Sequence, residues 1–306
     1  MERIWRPDWP CPAGQILSAS RRGPRDPTYR IDEAGRHWRG IRTPEGAATL
    51  MVEPRPGVGE VRAEAWGDGA DWALSQLPAM LGADDDPTGF EPRHPVLVEA
   101  HRRHPHARIG RTGLVMEALV PAIIEQKVTG QEAFAGFRQL VLKYGEKAPG
   151  PHGWLWLQPA PDQIRTIPSW AWLELHVDPA RSRSLVSAAT RARALERTIA
   201  EPPQVADVRL RSLPGIGVWT SAEVRARAFG DADAVSFGDY HVAKDVGWAL
   251  VGHEVDDAGL ADLLEPWRPH RLRVQNLVGL AGLRRPRRGP RMAPRTHLPG
   301  RTPGTR

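Results

Sequence analysis

The residues of this chain best suited to chemistry lie between positions 213 and 239, LPGIGVWTSAEVRARAFGDADAVSFGD. Pro214 lacks an amide donor and fixes its own φ, while Gly215 and Gly217 reach backbone angles closed to residues with a Cβ, so the chain turns sharply there. The turn sits between a short helix over 205–212 and a second helix over 218–229. In the second, Val218, Ala222, Val224, Ala228 and Phe229 recur at helical spacing and Gly230 is the stop. A bare hairpin leading into a helix gathers unpaired amides and the positive end of the helix dipole at one spot. That is an anion site, able to hold a phosphate without reading a base. Three aspartates follow, Asp231, Asp233 and Asp239. An ionised carboxylate in such a turn can stabilise a developing positive charge or activate a water.

The frame that must position these residues is large enough for two domains: 306 residues, 41% hydrophobic and 25% charged. No run of about 18 apolar residues occurs, and the start, MERIWRPDWPCPAGQ, has no apolar signal core, which predicts a cytoplasmic, nucleoid-associated protein with no membrane partner. The lone cysteine, Cys11, cannot form an internal disulfide and agrees with a reducing compartment. The formal charge is +6, but residues 284–306 hold eight arginines and no acid, so the rest of the chain carries a net −2. Net charge therefore gives little independent support for nucleic-acid binding. The Pro/Gly/Arg-rich segment 284–306 is predicted to be disordered, as either a solvated tail or a nonspecific phosphate-binding arm.

Residues 29–66 alternate with the period of half-exposed strands and predict an antiparallel meander of about four, closed by a helix over 71–81 that Pro78 bends or ends. The run Asp84-Asp85-Asp86-Pro87 reads as a linker. From His94 the period is helical: a buried helix over 114–127 kinked at Pro121, then helices over 131–144, 164–172, 182–199, 240–251, 256–264 and 270–283. The fold class is mainly α, α+β overall. A small antiparallel sheet-plus-helix domain (1–88) precedes an all-helical domain (89–283) and the basic tail (284–306).

LPGIGVWTSAEVRARAFG followed by DADAVSFGDYHVAK resembles the helix-hairpin-helix, Gly/Pro-rich, Asp superfamily of DNA glycosylases, and most closely its AlkA-like, 3-methyladenine DNA glycosylase II branch. The resemblance spans about residues 110–283, with the motif at about 205–229. It implies that the hairpin, through Leu213, Pro214, Gly215, Ile216, Gly217 and Thr220, grips the backbone of double-stranded DNA carrying damaged bases, in places with a monovalent cation on hairpin carbonyls. It also implies that Asp239 is the family aspartate, twenty positions after Trp219, which leaves Asp231 and Asp233 as turn and capping residues. Bifunctional members carry a Schiff-base lysine where this chain has Trp219, so the implied enzyme is monofunctional. With one cysteine, no cysteine-ligated iron-sulfur cluster is possible and no cofactor is expected.

By the same resemblance, Gln126 faces the substrate pocket, and Lys127 stands where the family inserts an apolar wedge into the gap left by the extruded nucleotide. Trp219, Tyr240 and Trp267 are the aromatics expected around a cationic or electron-poor base, and Glu223 takes a place where an aromatic would help line the pocket. The reaction implied is hydrolysis of the N-glycosidic bond of an alkylated purine such as 3-methyladenine or 7-methylguanine by a monomeric base-excision-repair enzyme. Two alternatives stand beside it: a lesion- or backbone-binding protein of the same fold that excises nothing, and a glycosylase for another lesion.

Overall fold

The computed structural model describes residues 1–286. Five strands form one antiparallel sheet in the order β1-β5-β4-β3-β2: β1 Glu2–Trp5, β2 Tyr29–Ile31, β3 His37–Thr43, β4 Gly46–Arg55 and β5 Glu60–Trp66. The expected meander is β2 to β5. The unexpected edge strand β1, only four residues long, pairs with β5 from Glu2 opposite Glu64 to Trp5 opposite Val61. A short helix α1 (Ala13–Ser18), also unforeseen, follows β1, and α2 (Ala70–Met80) closes the unit. Pro78 lies within the last turn of α2.

Strands β3 and β4 are buried on both faces, while β5 keeps the half-exposed alternation. Ile41, Ala48, Leu50, Val52 and Ala63 pack on Ala73, Leu74 and Leu77 of α2. Trp38 and Met51, on the other face, are covered by residues 146–157, where β6 (Glu146–Lys147) pairs with β7 (Trp156–Leu157). Trp38 stacks on Trp66 at 5.6 Å and meets Trp154 edge-on, so several of the twelve tryptophans are mortar between the sheet and this arm. Gly40 is required here, since a Cβ would lie 2.2 Å from the Trp156 carbonyl oxygen.

The remainder is helical apart from that arm. It comprises α3 (Pro95–Arg103), α4 (Val115–Ile124), α5 (Gly130–Tyr144), α6 (Pro161–Thr166), α7 (Ala171–Glu174), α8 (Pro179–Thr190), α9 (Ala192–Arg197), α10 (Pro203–Arg211), α11 (Val218–Val224), α12 (Val242–Val251), α13 (Asp257–Leu264) and α14 (Arg271–Leu280). Two expected helices divide: 164–172 becomes α6 and α7, and 182–199 breaks at Arg191 into α8 and α9. The helix over 218–229 changes winding, α11 passing into a π-turn over Arg225–Phe229 that Gly230 ends at φ 68°. In α4 every residue but Glu117 is buried, and the helix runs through Pro121. Glu196 caps its start, accepting from the amides of Val115 (2.9 Å) and Met116 (2.8 Å).

The acidic run 84–87 is no loose linker. Asp85 is buried, accepts the Ile109 amide at 3.0 Å and takes both terminal nitrogens of Arg273 at 3.0 and 2.7 Å, which pins the run to α14. The expected disordered tail lies outside the described residues from 287 on. Arg285 within it is anchored, its amide on Asp245 and its guanidinium on Glu254 at 2.6 Å. No helix among the described residues is long and apolar enough to cross a membrane.

Candidate active site at the hairpin

The hairpin joining α10 to α11 is held from inside by Leu213 and Ile216, both about 5% exposed, while Pro214, Gly215 and Gly217 face out. Gly215 has φ +83°, and a Cβ there would come 2.1 Å from the Ser184 hydroxyl, so both conformation and space demand glycine. Ser184 donates to the Pro214 carbonyl at 3.1 Å. Gln126 donates to the Gly215 carbonyl at 2.9 Å and to the Thr220 hydroxyl at 2.8 Å. The Gln126 amide nitrogen is therefore committed to the hairpin and does not face a base. Thr220, 2% exposed, is out of reach of a phosphate. The surface able to meet an anion is narrower than expected: Pro214, Gly215, Gly217 and the open first amides of α11, which has no side-chain cap. The Leu213, Pro214 and Gly215 carbonyls each accept one hydrogen bond, which leaves each a second lone pair for a monovalent ion, and no step is derived through one.

Trp219 follows, half buried, with its indole Nε1 buried and without a partner. Across from it the chain turns through Gly238 at φ +87°, where a Cβ would lie 3.7 Å from the Trp219 Cβ. The next residue, Asp239, is half buried. Its Oδ1 accepts the amides of His241 (2.7 Å) and Val242 (3.1 Å), fixing the carboxylate at the start of α12, and its Oδ2 makes no hydrogen bond among the described residues. Trp219 thus packs beside the turn that carries Gly238 and Asp239. Asp231 and Asp233 do not join them. Asp231 pairs with Arg225, and Asp233 takes Arg271 at 2.6 and 2.8 Å, so both are structural.

The other expected pocket residues lie elsewhere. Tyr240 is 67% exposed and points outward, with the Lys244 ammonium 3.7 Å from its ring centroid and Arg285 beyond it. It does not shield Asp239. Trp267 packs into the cluster formed by α3, α12, α13 and α14 and donates its indole N–H to the Glu91 carbonyl at 2.9 Å, away from the hairpin. Glu223 is not a free carboxylate: Arg227 donates to one oxygen at 2.6 Å and Ser236 to the other at 2.6 Å. Burial alone would push this carboxyl up, but Arg227, the Ser236 hydroxyl and Arg22 bring it below its ordinary value. Lys127 is exposed at φ 55°, a left-handed conformation uncommon for a residue with a Cβ.

Sequence reasoning missed one group entirely. The loop after α1 brings Arg22, 7% exposed, to Glu125 at the end of α4, with Nη1 3.3 Å from Oε1. Arg227 ties the same loop down through the Ala19 carbonyl at 3.1 Å. Burial raises the Glu125 carboxyl above its ordinary value, Arg22 and Arg227 oppose this, and the charges of Glu223 and, least, Asp239 add to it. Arg22 and Glu125 are 103 positions apart, and no motif links them. The nearest signal is Gly23, at φ +81°, which lets the loop approach Phe134 of α5 where a Cβ would come within 2.7 Å of the ring. Between this loop, β3 and α4 lies a cavity of about 560 Å³ with Arg22 and Arg227 in its wall.

No protein-family description matches the sequence. Over 216 residues the chain is 28% identical to a Mycobacterium tuberculosis protein named as a probable bifunctional transcriptional activator/DNA repair enzyme AlkA. That match takes in 65% of this chain but only 40% of the relative. In structure the chain is similar to a 3-methyladenine DNA-glycosylase from Archaeoglobus fulgidus, with TM-score 0.77 and 17% identity over 91% of this chain and 97% of that one. It is also similar to an 8-oxoguanine glycosylase/lyase from Clostridium acetobutylicum, with TM-score 0.70 and 14% identity over 91% and 95%. These likenesses show the helix-hairpin-helix DNA-glycosylase fold, and they do not single out the AlkA-like branch.

Proposed function

We propose that this protein is a monofunctional DNA glycosylase that removes alkylated purines of the 3-methyladenine and 7-methylguanine type from double-stranded DNA, acting as a monomer. The observation that carries the reading is the Asp239 carboxylate, fixed by two amides with Oδ2 left over, beside Trp219 in the register where a lyase would hold its lysine. In this reading residues 89–283 grip the DNA backbone with the exposed hairpin glycines, and residues 1–88 wall the other side of the cleft. Lys127 enters the gap left by the flipped nucleotide, filling it with its stem while its ammonium reaches a phosphate.

The C1′–N bond breaks with its electron pair leaving on the base, which a methylated purine accepts readily. The positive charge that develops on the sugar is stabilised by Asp239, and a water oriented by the same carboxylate adds to C1′ and gives up its proton. The product is a free base and an abasic site. A second reading, a glycosylase for another lesion, is favoured by one observation: of the three expected aromatics only Trp219 stands at Asp239. Incubation with methylated duplex DNA followed by alkali tests the proposal. Strand breaks at purines are expected, and intact strands after saturating enzyme would rule it out.

A further inference from the structure

This chain builds closed ion pairs where it needs them for structure. Arg273 meets Asp85 through two nitrogens at 3.0 and 2.7 Å, with side chains 5% and 2% exposed, and Arg271 meets Asp233 at 2.8 and 2.6 Å. Arg22 and Glu125 differ. Their side chains are only 8% and 17% exposed, yet they share one contact, at 3.3 Å. A buried pair normally requires close geometry and satisfied remaining groups to offset the cost of desolvation. Here the other guanidinium nitrogens of Arg22 and the second oxygen of Glu125 have no hydrogen-bond partner among the described residues, and none of them is sealed inside the protein. Donors and acceptors are thus left side by side, unspent, where α4 ends beside the Gln126 that holds the hairpin.

We infer that Arg22 and Glu125 read the Watson–Crick edge of the extruded base and select purines that present O6 beside N1–H, the guanine and hypoxanthine type. The inference rests on the base-excision reading and narrows its substrate. A guanidinium donates to a keto oxygen, and a carboxylate accepts from ring and exocyclic N–H groups. The placement sets the register. Glu125 adjoins Gln126, whose amide holds the Gly215 carbonyl of the hairpin, so it meets the edge nearer the sugar, N1–H and N2. Arg22, in the wall of the inner cavity, meets O6 at the far side. In that register an adenine-type edge sets its amino group against the guanidinium and its N1 lone pair against the carboxylate, so like faces like. An etheno bridge across N1 and N6 leaves no N–H to bind at all. Arg22 comes from the N-terminal unit, which gives that unit a role in specificity as well as in walling the cleft.

The test uses two neutral lesions, so that charge is constant: hypoxanthine and 1,N6-ethenoadenine, each in the same duplex. Excision by the wild type and binding by Asp239→Asn are measured, then both again with Arg22→Met, Arg22→Lys and Glu125→Gln. Hypoxanthine is expected to be preferred by about tenfold or more. Arg22→Met and Glu125→Gln should collapse that ratio towards one, and Arg22→Lys should restore part of it. A ratio of two lesions within one variant does not depend on how much of the protein is folded. Equal handling of the two lesions by the wild type, or a ratio unmoved by the substitutions, would overturn the inference. If neither neutral lesion is excised, the methylated-duplex assay decides the base-excision reading, and the binding ratio decides whether this pair reads the edge.

Discussion

The side-chain amide of Gln126 donates to the carbonyl of Gly215 at 2.9 Å and so couples the end of the buried helix α4 to the tip of the hairpin. With the bond to Thr220 it makes two contacts to the hairpin and the helix that follows it. Gln126→Ala should cost roughly 1 to 3 kcal/mol of stability and weaken binding to undamaged duplex, because the hairpin loses its register on α4. Thermal unfolding and fluorescence anisotropy read the two effects. Unchanged values in both would mean that Ser184 and the buried Leu213 and Ile216 hold the hairpin without it.

Asp239→Asn should abolish base release, by a factor on the order of a thousand or more, while duplex binding and the melting temperature persist. The asparagine oxygen can still accept the amides of His241 and Val242, so the start of α12 stays capped and only the charge is lost. Single-turnover excision near the wild-type rate would remove Asp239 from the mechanism.

Borohydride should not trap the protein on lesion-containing DNA, since Trp219 offers no amine at the hairpin. Lys127 is the residue to watch. Trapping that vanishes in Lys127→Met would move this chain to a lyase mechanism with its nucleophile at the wedge.

Glu223 should matter for stability rather than for charge selectivity, because Arg227 and Ser236 already occupy its two oxygens. Its folded-state pKa lies below the ordinary value of 4.5, so its contribution is in place above that value and is lost as the pH falls through the lowered one. Glu223→Gln should therefore destabilise the protein at pH 7, by roughly 3 kcal/mol, and flatten the acid limb of the stability curve. Its preference between charged and neutral lesions should stay as in the wild type. A drop in that preference would show a carboxylate free to meet the base.

The hairpin and the order of sheet and helices were legible because each has a local signature, fixed glycines and a two-residue or helical period, whereas Asp239 was singled out only by the family resemblance. Three things were not legible. Burial on both faces of the sheet hides in sequence, since the arm that covers Trp38 lies about a hundred residues away. The directions of Tyr240 and Trp267 depend on Lys244 and Glu91, contacts set by packing rather than spacing. Arg22 reaches Glu125 only because its loop lies flat against α5, and no pattern in one dimension encodes that approach.

Trp219 carries the last prediction, since it is the expected pocket aromatic that adjoins Asp239. Its ring offers a π face to a base entering beside Gly238. A cation over an indole gains on the order of 1 to 2 kcal/mol relative to a neutral ring, about tenfold. The wild type should therefore release 7-methylguanine faster than hypoxanthine by more than the lability of the bond predicts, with the nonenzymatic depurination rates as the reference. Trp219→Phe should keep part of that excess, and Trp219→Ala should lose it. An excess that survives in Trp219→Ala would place the recognition of charge elsewhere in the cleft, with Glu125 the first residue to substitute.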